Sequence, residues 1–422
     1  MTQNTAASER KIYYKQPTSA TRREFNWTNL NADGLGANFS GLCAKSQRAT
    51  QCDNLSAAEK TVAETGSNLV GYLRGTRTYE TASSANSTTR ALYRARTGVL
   101  GDIINGAPVY VSKPPFSYTD AGYAAFVTAK RSRKPMVYVA ANDGMLHAFS
   151  AASADGGTEM WAYIPNAVMP EMYRLADSGY EARHRYFVDG APVVADIQVG
   201  TEWKTILVGG LNKGGRSYYA LDVTDPANPL PLWEFTDTNL GLTYGNPVVA
   251  KRGNGTWVVV FGSGYNNDVD GGDGKGRLFV LNANTGEKLL GIATTAGAVN
   301  SPSGLAKINA WVDDPANNTS KRYYGGDLQG NLWRFDVDDL VEPRHSALLL
   351  ATFQVDATTP QAITTRPETV EIAGKPVIVV GTGRYLNTDD INSTTQATQT
   401  IYAVKDNLTS VSYTHLTLPT KA

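Results

Sequence analysis

Short apolar runs separated by small-residue turns return five times along the chain, and the return predicts the fold. Each unit opens on a brief apolar stretch beside a proline or serine, at 107–111, 191–195, 246–250, 303–307 and 366–370. A second run follows and ends in small residues, at 136–140, 206–210, 258–262, 322–326 and 377–381. A third lies at 145–149, 218–222, 278–282, 332–336 and 401–405. A fourth is legible in the first four units, as in 159–163 and 232–235. The runs are continuously apolar rather than alternating, the pattern of strands buried on both faces. Four short strands per unit, repeated every several tens of residues, predict an all-β, modified β-propeller with five readable blades.

The openings Pro108, Pro192, Pro247, Ser303 and Pro367 lie 84, 55, 56 and 64 positions apart. The unequal steps place insertions of different size in surface loops, where function concentrates. The longest step carries Tyr163, Met169, Met172, Tyr173, Tyr180, Arg183, His184, Arg185 and Tyr186. Tyr, Met and Arg are enriched at protein interfaces. Packing inside the blade accounts for the same residues equally well.

The pattern differs before the first blade. Residues 1–99 are polar, either a segment of their own or a contribution to the first blades. One helix is predicted there, over 56–74. Ser56 with Glu59 three positions on makes a capping box, and Val62, Leu69, Val70 and Leu73 fall near helical spacing, with Gly66 weakening the middle. Blades occupy 100–407. Residues 408–422 match no blade phrase and resemble a translated sequencing-adapter tail. They are expected to be non-native or disordered, and the chain to be a truncated fragment.

Composition narrows the function classes. Lys plus Arg equals Asp plus Glu, 39 each. A neutral balance argues against a general nucleic-acid binder, whose affinity comes from neutralising phosphates. No run approaches the about 18 apolar residues of a membrane helix. Met1 to Gln16 shows no apolar core of a signal peptide. Either the protein stays inside the cell or this chain is a piece of a longer one. Cys43 and Cys52 are the sole cysteines. In an exported protein they would form a local disulfide; otherwise they are two free thiols, and the spacing is not a zinc pattern.

Candidate chemistry is sparse. His147 lies on a third strand and reads as a structural histidine, and His184 as part of an exposed turn. No nucleophile elbow appears, and Gly262-Ser263-Gly264 alone is weak evidence of a phosphate loop. No catalytic residue is assigned. Trp161, Trp233, Trp257 and Trp333 recur within blade strands as core residues. The loop carrying Asp268, Asp270 and Asp273 among glycines can wrap a cation, but Phe279 stands where a calcium loop of the EF-hand type ends in Glu. An ordinary blade connection has the same composition.

Several longer phrases identify a resemblance. Leu100-Gly101-Asp102-Ile103-Ile104-Asn105-Gly106-Ala107-Pro108, Ala141-Asn142-Asp143-Gly144-Met145-Leu146-His147 and Gly326-Asp327-Leu328-Gln329-Gly330-Asn331-Leu332-Trp333 are similar to phrases of the PilC/PilY family of type IV pilus biogenesis proteins, in the same order. So are Tyr218-Tyr219-Ala220-Leu221-Asp222-Val223-Thr224-Asp225-Pro226 and Gly381-Thr382-Gly383-Arg384-Tyr385-Leu386. The resemblance covers about 60–407. It implies a propeller of about seven blades, and a non-enzymatic, exported factor at the pilus tip, cell surface, outer membrane or periplasm. Such a factor promotes pilus assembly or opposes retraction, and acts in adhesion. Implied partners are pilins or minor pilins, with host or surface ligands. The resemblance also implies a calcium loop before Tyr324-Gly325-Gly326-Asp327, with ligand positions on Asp313, Pro315, Asn317, Thr319 and Lys321. Asp313, Asn317 and Thr319 offer oxygens. Pro315 offers no side-chain oxygen and Lys321 brings a cation, so a solvated Asn-rich loop is the favoured reading and calcium the rival. A quinoprotein-type propeller dehydrogenase, or a plain extracellular scaffold, remains as the alternative function.

Overall fold

The computed structural model describes residues 9–84, 88–391 and 397–409. Strands β1 (Ile12–Lys15) and β2 (Arg22–Glu24) come first, then helices α1 (Trp27–Ala32), α2 (Ala57–Ala63) and α3 (Gly66–Arg74). Blade one holds β3 (Val109–Val111), β4 (Met136–Ala141), β5 (Met145–Ser150) and β6 (Glu159–Tyr163), with α4 (Tyr123–Lys130) between β3 and β4. Blade two holds β7 (Val193–Val199), β8 (Glu202–Gly210), β9 (Tyr218–Asp222) and β10 (Leu230–Phe235). Blade three holds β11 (Val248–Lys251), β12 (Trp257–Gly262), β13 (Arg277–Asn282) and β14 (Lys288–Ala293). Blade four holds β15 (Ile308–Asp314), β16 (Thr319–Gly326), β17 (Asn331–Asp336) and β18 (Ser346–Thr352). Blade five has three strands, β19 (Glu368–Ile372), β20 (Lys375–Gly381) and β21 (Ile401–Lys405). Within each blade consecutive strands pair antiparallel, as in a meander. A single parallel pair, Lys251 with Thr319, joins blades three and four.

The core lies between blades. Strands β5, β12 and β17 are buried along their whole length; β12 is an unbroken apolar run, while β5 and β17 also bury His147 and Arg334. The apolar clusters straddle successive blades. One joins Trp161 and Leu146 of blade one to Leu207 and Tyr219 of blade two. The next joins Ile206 and Tyr218 to Phe261 and Phe279 of blade three. A third joins Val258 and Val280 to Tyr323 and Phe335 of blade four, and a fourth joins Tyr324 and Leu332 to Ile378 and Tyr402 of blade five. Trp161, Trp233, Trp257 and Trp333 are all buried.

Three sequence expectations change. The opening phrase of blade four, 303–307, precedes its strand, which starts at Ile308. Ser303 instead ties the neighbouring turn, its hydroxyl donating to Asp327 at 3.0 Å and its carbonyl accepting from Leu328 N–H at 2.8 Å. Gly304 sits there at φ +70°, against the Leu328 side chain. The helix expected over 56–74 is two helices. Ser56 and Glu59 form the predicted capping box of α2, and α3 restarts at Gly66. Gly66 is there for close approach: a Cβ would stand 2.1 Å from the Trp27 ring. Thirdly, Met169, Met172, Tyr173, Tyr163 and Tyr180 of the long insertion are buried. They pack with Leu69 and Leu73 of α3 in one cluster, so they are core and not an exposed interface. Arg183 and His184 of that group are exposed, Arg183 3.4 Å from Asp177 and His184 3.1 Å from Asp102.

The polar N-terminal stretch is built onto blade one. β1 pairs parallel with β6, Ile12 opposite Ala162, and β2 pairs with β1. Cys43 and Cys52 are bonded to each other. Arg10 reaches into the blade, donating to both oxygens of Glu159 at 2.7 and 2.8 Å and to the Arg74 carbonyl. Glu159 also meets His147 Nδ1 at 2.7 Å, while His147 Nε2 lies 3.0 Å from Asp143. His147 is fully buried, as a structural histidine. Burial pushes its pKa down, but the Asp143 and Glu159 carboxylates more than reverse this and hold it up at about 9. Burial pushes Glu159 up, yet Arg10 and His147 bring it down to about 2. At the other end Arg334, 1% exposed, bridges Asp336 at 2.9 Å and Asp406 at 2.9 Å and donates to the Thr409 carbonyl. Of the stretch expected to be non-native, residues 410–422 lie outside the described residues.

Two outcomes are expected. Gly66→Ala should destabilise the chain by about 1–3 kcal/mol, the usual cost of overpacking, although alanine is the better helix former. Urea denaturation checks this, and a stabilised variant would mean that the Trp27 ring swings aside freely. The His147 pKa is raised above its unfolded value of about 6.5. Its contribution to stability is therefore fully present below about pH 6.5 and is lost as pH rises through about 9. The urea midpoint of the wild type should fall between those pH values more steeply than that of His147→Gln. Parallel pH profiles would show that His147 is neutral in the fold.

Candidate functional site

The first strands of blades two, three and four line a cavity of about 650 Å³. Among the described residues β7 is an edge strand of its sheet and β15 pairs only with β16, so both present open edges. Val193 and Val194 of β7, Val248 and Val249 of β11, and Ile308 and Val312 of β15 form apolar walls. Asn246, Lys307 and Arg366 stand just before the starts of β11, β15 and β19. Phe116, Tyr118, Pro315 and Asn318 line the cavity where β15 ends and turns. The cavity thus has a cationic, amide-bearing side and an aromatic side. None of the described residues lining it is an Asp or a Glu.

The aromatic side is closed by a strap that sequence reading left unassigned, the insertion between β3 and β4. Tyr118 stacks on Phe116 with ring centroids 5.0 Å apart, and meets Trp203 at 5.8 Å and Trp257 at 5.6 Å. Tyr123 donates to the buried Asp196 carboxylate at 2.8 Å, which also accepts from Thr205 at 2.6 Å. Burial pushes the Asp196 carboxyl up against those bonds. Thr119 N–H donates to the Ala316 carbonyl at 2.9 Å, and Asp120 pairs with Lys251. One segment from blade one therefore touches blades two, three and four. Its sequence signal was the aromatic run Phe116, Tyr118 and Tyr123 between two strands, which lacks strand periodicity.

The calcium candidates lie in the turn between β15 and β16, beside this strap. Asp313 Oδ2 accepts from Lys321 N–H at 2.8 Å. Asn317 Oδ1 accepts from Thr319 N–H at 3.1 Å and from its hydroxyl at 2.6 Å. Asp314 accepts from Ala316 N–H at 2.9 Å and from the Asn317 amide at 2.6 Å. Asn317 and Thr319 are brought together, while Asp313 is turned to the backbone of Lys321. The offered oxygens serve the turn itself. In the second acidic loop, Asp270 pairs with Arg216 at 2.6 Å and Asp273 with Arg277 at 3.0 Å. Asp268 accepts from Asn300 N–H at 3.0 Å. Guanidinium groups thus face Asp270 and Asp273, two of the three carboxylates offered to a cation. Arg216 is remote in the chain, which is why no local pattern shows it. Among the described residues, no group of three or more His, Cys, Asp or Glu is arranged to hold a metal ion. His184 stands 3.1 Å from Asp102 at the surface.

Comparison with known proteins places this geometry. A family model described as the PilY1 beta-propeller domain matches residues 100–418. The type IV pilus biogenesis factor PilY1 of Pseudomonas aeruginosa strain PAK is 34% identical over 434 residues, covering 95% of this chain and 34% of that protein. A type IV pilus biogenesis factor PilY1 homolog of Xylella fastidiosa strain Temecula1 is 36% identical over 361 residues, covering 83% of this chain and 28% of that protein. The chain thus spans about a third of the length of the curated relatives it matches. The crystal structure of the Pseudomonas aeruginosa PilY1 C-terminal domain superposes with a TM-score of 0.60 at 31% identity, over 73% of this chain and 67% of that one.

Proposed function

The chain belongs to the PilY1 β-propeller family, and on that premise we propose that it is the contact module of an exported, non-enzymatic type IV pilus biogenesis factor. It works by binding pilins or minor pilins, promotes assembly or opposes retraction, and bears on adhesion. Family membership is the observation that carries this reading. Two features support it. The bonded Cys43 and Cys52 suit an oxidising compartment outside the cytoplasm. A quinone-dependent propeller enzyme would need a catalytic carboxylate at the axis, and the lining of the axial cavity is apolar, amide and cationic. No helix among the described residues is long and apolar enough to cross a membrane.

We further propose that the turn at 313–321 takes calcium weakly or not at all. A calcium ion needs six to eight oxygens, usually with several carboxylates. Here Pro315 offers no side-chain oxygen, Lys321 adds a positive charge, and Asn317 Oδ1 is committed to Thr319. The donor set does not fit the ion, and no part of the contact role is routed through it.

In-frame deletion of the blades from the full-length factor should abolish surface pili, with restoration by the intact gene. Normal piliation of the deletion strain would overturn the pilus role. Quinone-dependent dye reduction by the purified chain would overturn the non-enzymatic reading. Calorimetric titration with calcium should show no site tighter than about 1 mM, the weak end of the extracellular range. A micromolar site lost on Asp313→Ala would refute the reading of the turn.

A further inference from the structure

Resting on the reading of this chain as a contact module, we propose that the axial cavity receives an extended apolar peptide segment flanked by carboxylates, carried by a partner protein. The walls set the first requirement. Val193, Val194, Val248, Val249 and Ile308 face a space of about 650 Å³, room for a few side chains. Val312 of the same wall is 40% exposed, a large apolar side chain left open on an inner strand.

The backbone sets the second. β7 runs seven residues, from Val193 to Val199, and pairs on one side only, with β8. Its first residues line the cavity, so its unpaired N–H and C=O groups stand at the wall where an added strand would find them. An extended segment satisfies those groups while its alternate side chains enter the apolar space. A compact ligand satisfies only the second demand.

Charge sets the third. Lys307 and Arg366 stand on the side where the inner strands begin, and no carboxylate lines the cavity. Lys307 makes no ion pair among the described residues. Arg366 donates to Asn309 at 2.9 Å and lies 3.9 Å from Glu368, an exposed and loosely held pair that a ligand carboxylate can replace. The opposite side is stopped by the strap, with Phe116 and Tyr118. A segment therefore enters from the cationic side, apolar residues inward and acidic residues outermost.

The test uses the purified full chain and two dye-labelled probe peptides, Asp-Val-Leu-Val-Asp and its counterpart with lysine at both ends, read by fluorescence anisotropy. The acidic peptide should bind and the lysine peptide should bind at least about tenfold more weakly, with the difference shrinking as salt rises. The double variant Lys307→Glu with Arg366→Glu should lose the acidic peptide, and both side chains are exposed, so the fold is kept. Val312→Asp, at another exposed wall position, should weaken it independently. Equal binding of the two peptides, or unchanged binding by the double variant, overturns the inference. Binding of dodecanoate without binding of the acidic peptide also overturns it, in favour of a small amphiphile. Piliation by full-length factor carrying the double variant is read separately. Failure of peptide binding strikes this inference alone, whereas normal piliation on blade deletion strikes the pilus reading beneath it.

Discussion

The fold depends on apolar sheet faces that no blade can bury alone. A blade whose central strand is buried at every position has no face that tolerates water, so each must be covered by a neighbour. That need makes the apolar clusters bridge successive blades, Trp161 and Leu207 sharing one, Ile206 and Phe261 the next, Val258 and Tyr323 a third, Tyr324 and Ile378 a fourth. Non-directional burial of this kind holds the blades in order without fixing any one contact. It also leaves β7 and β15 with one sheet partner each where they line the cavity.

Directional interactions then fix what burial leaves loose. The N-terminal stretch packs Ile12, Tyr14, Phe25, Leu69 and Leu73 into the apolar cluster of blade one. A buried chain of charges adds to this attachment, Arg10 to Glu159 to His147 to Asp143, with each ionised group facing an opposite one. The last strand is fastened in the same way, by Arg334 between Asp336 and Asp406. Breaking one partner of such a pair leaves a buried charge uncompensated, which costs far more than losing a surface pair. Ion pairs and apolar packing thus act together at both ends of the described chain.

The strap between β3 and β4 connects the two regimes. Its aromatic rings join the Trp203 and Trp257 cluster, and its backbone and Asp120 bind the turn of blade four and Lys251 of blade three. By spanning successive blades it closes one side of the axial cavity and holds the turn at 315–318 in place. The Asp313 and Asn317 oxygens of that turn accept hydrogen bonds that shape it.

By itself the sequence determined the all-β blades, because a strand buried on both faces must be written as an unbroken apolar run, and that run is local. The Ser56–Glu59 cap was legible for the same reason, as was the structural character of His147. Tertiary structure alone decided where distant segments meet. Gly66 reads as a weak point in a helix until the Trp27 ring is seen against it. Met169, Met172 and Tyr173 suit an interface until α3 covers them. Asp270 and Asp273 suit a cation until Arg216 and Arg277 take their place. The axial cavity is built from residues more than two hundred positions apart, Phe116 to Arg366. Periodicity carries information over a few residues, whereas a site assembled from strand ends exists only once the blades have closed around it.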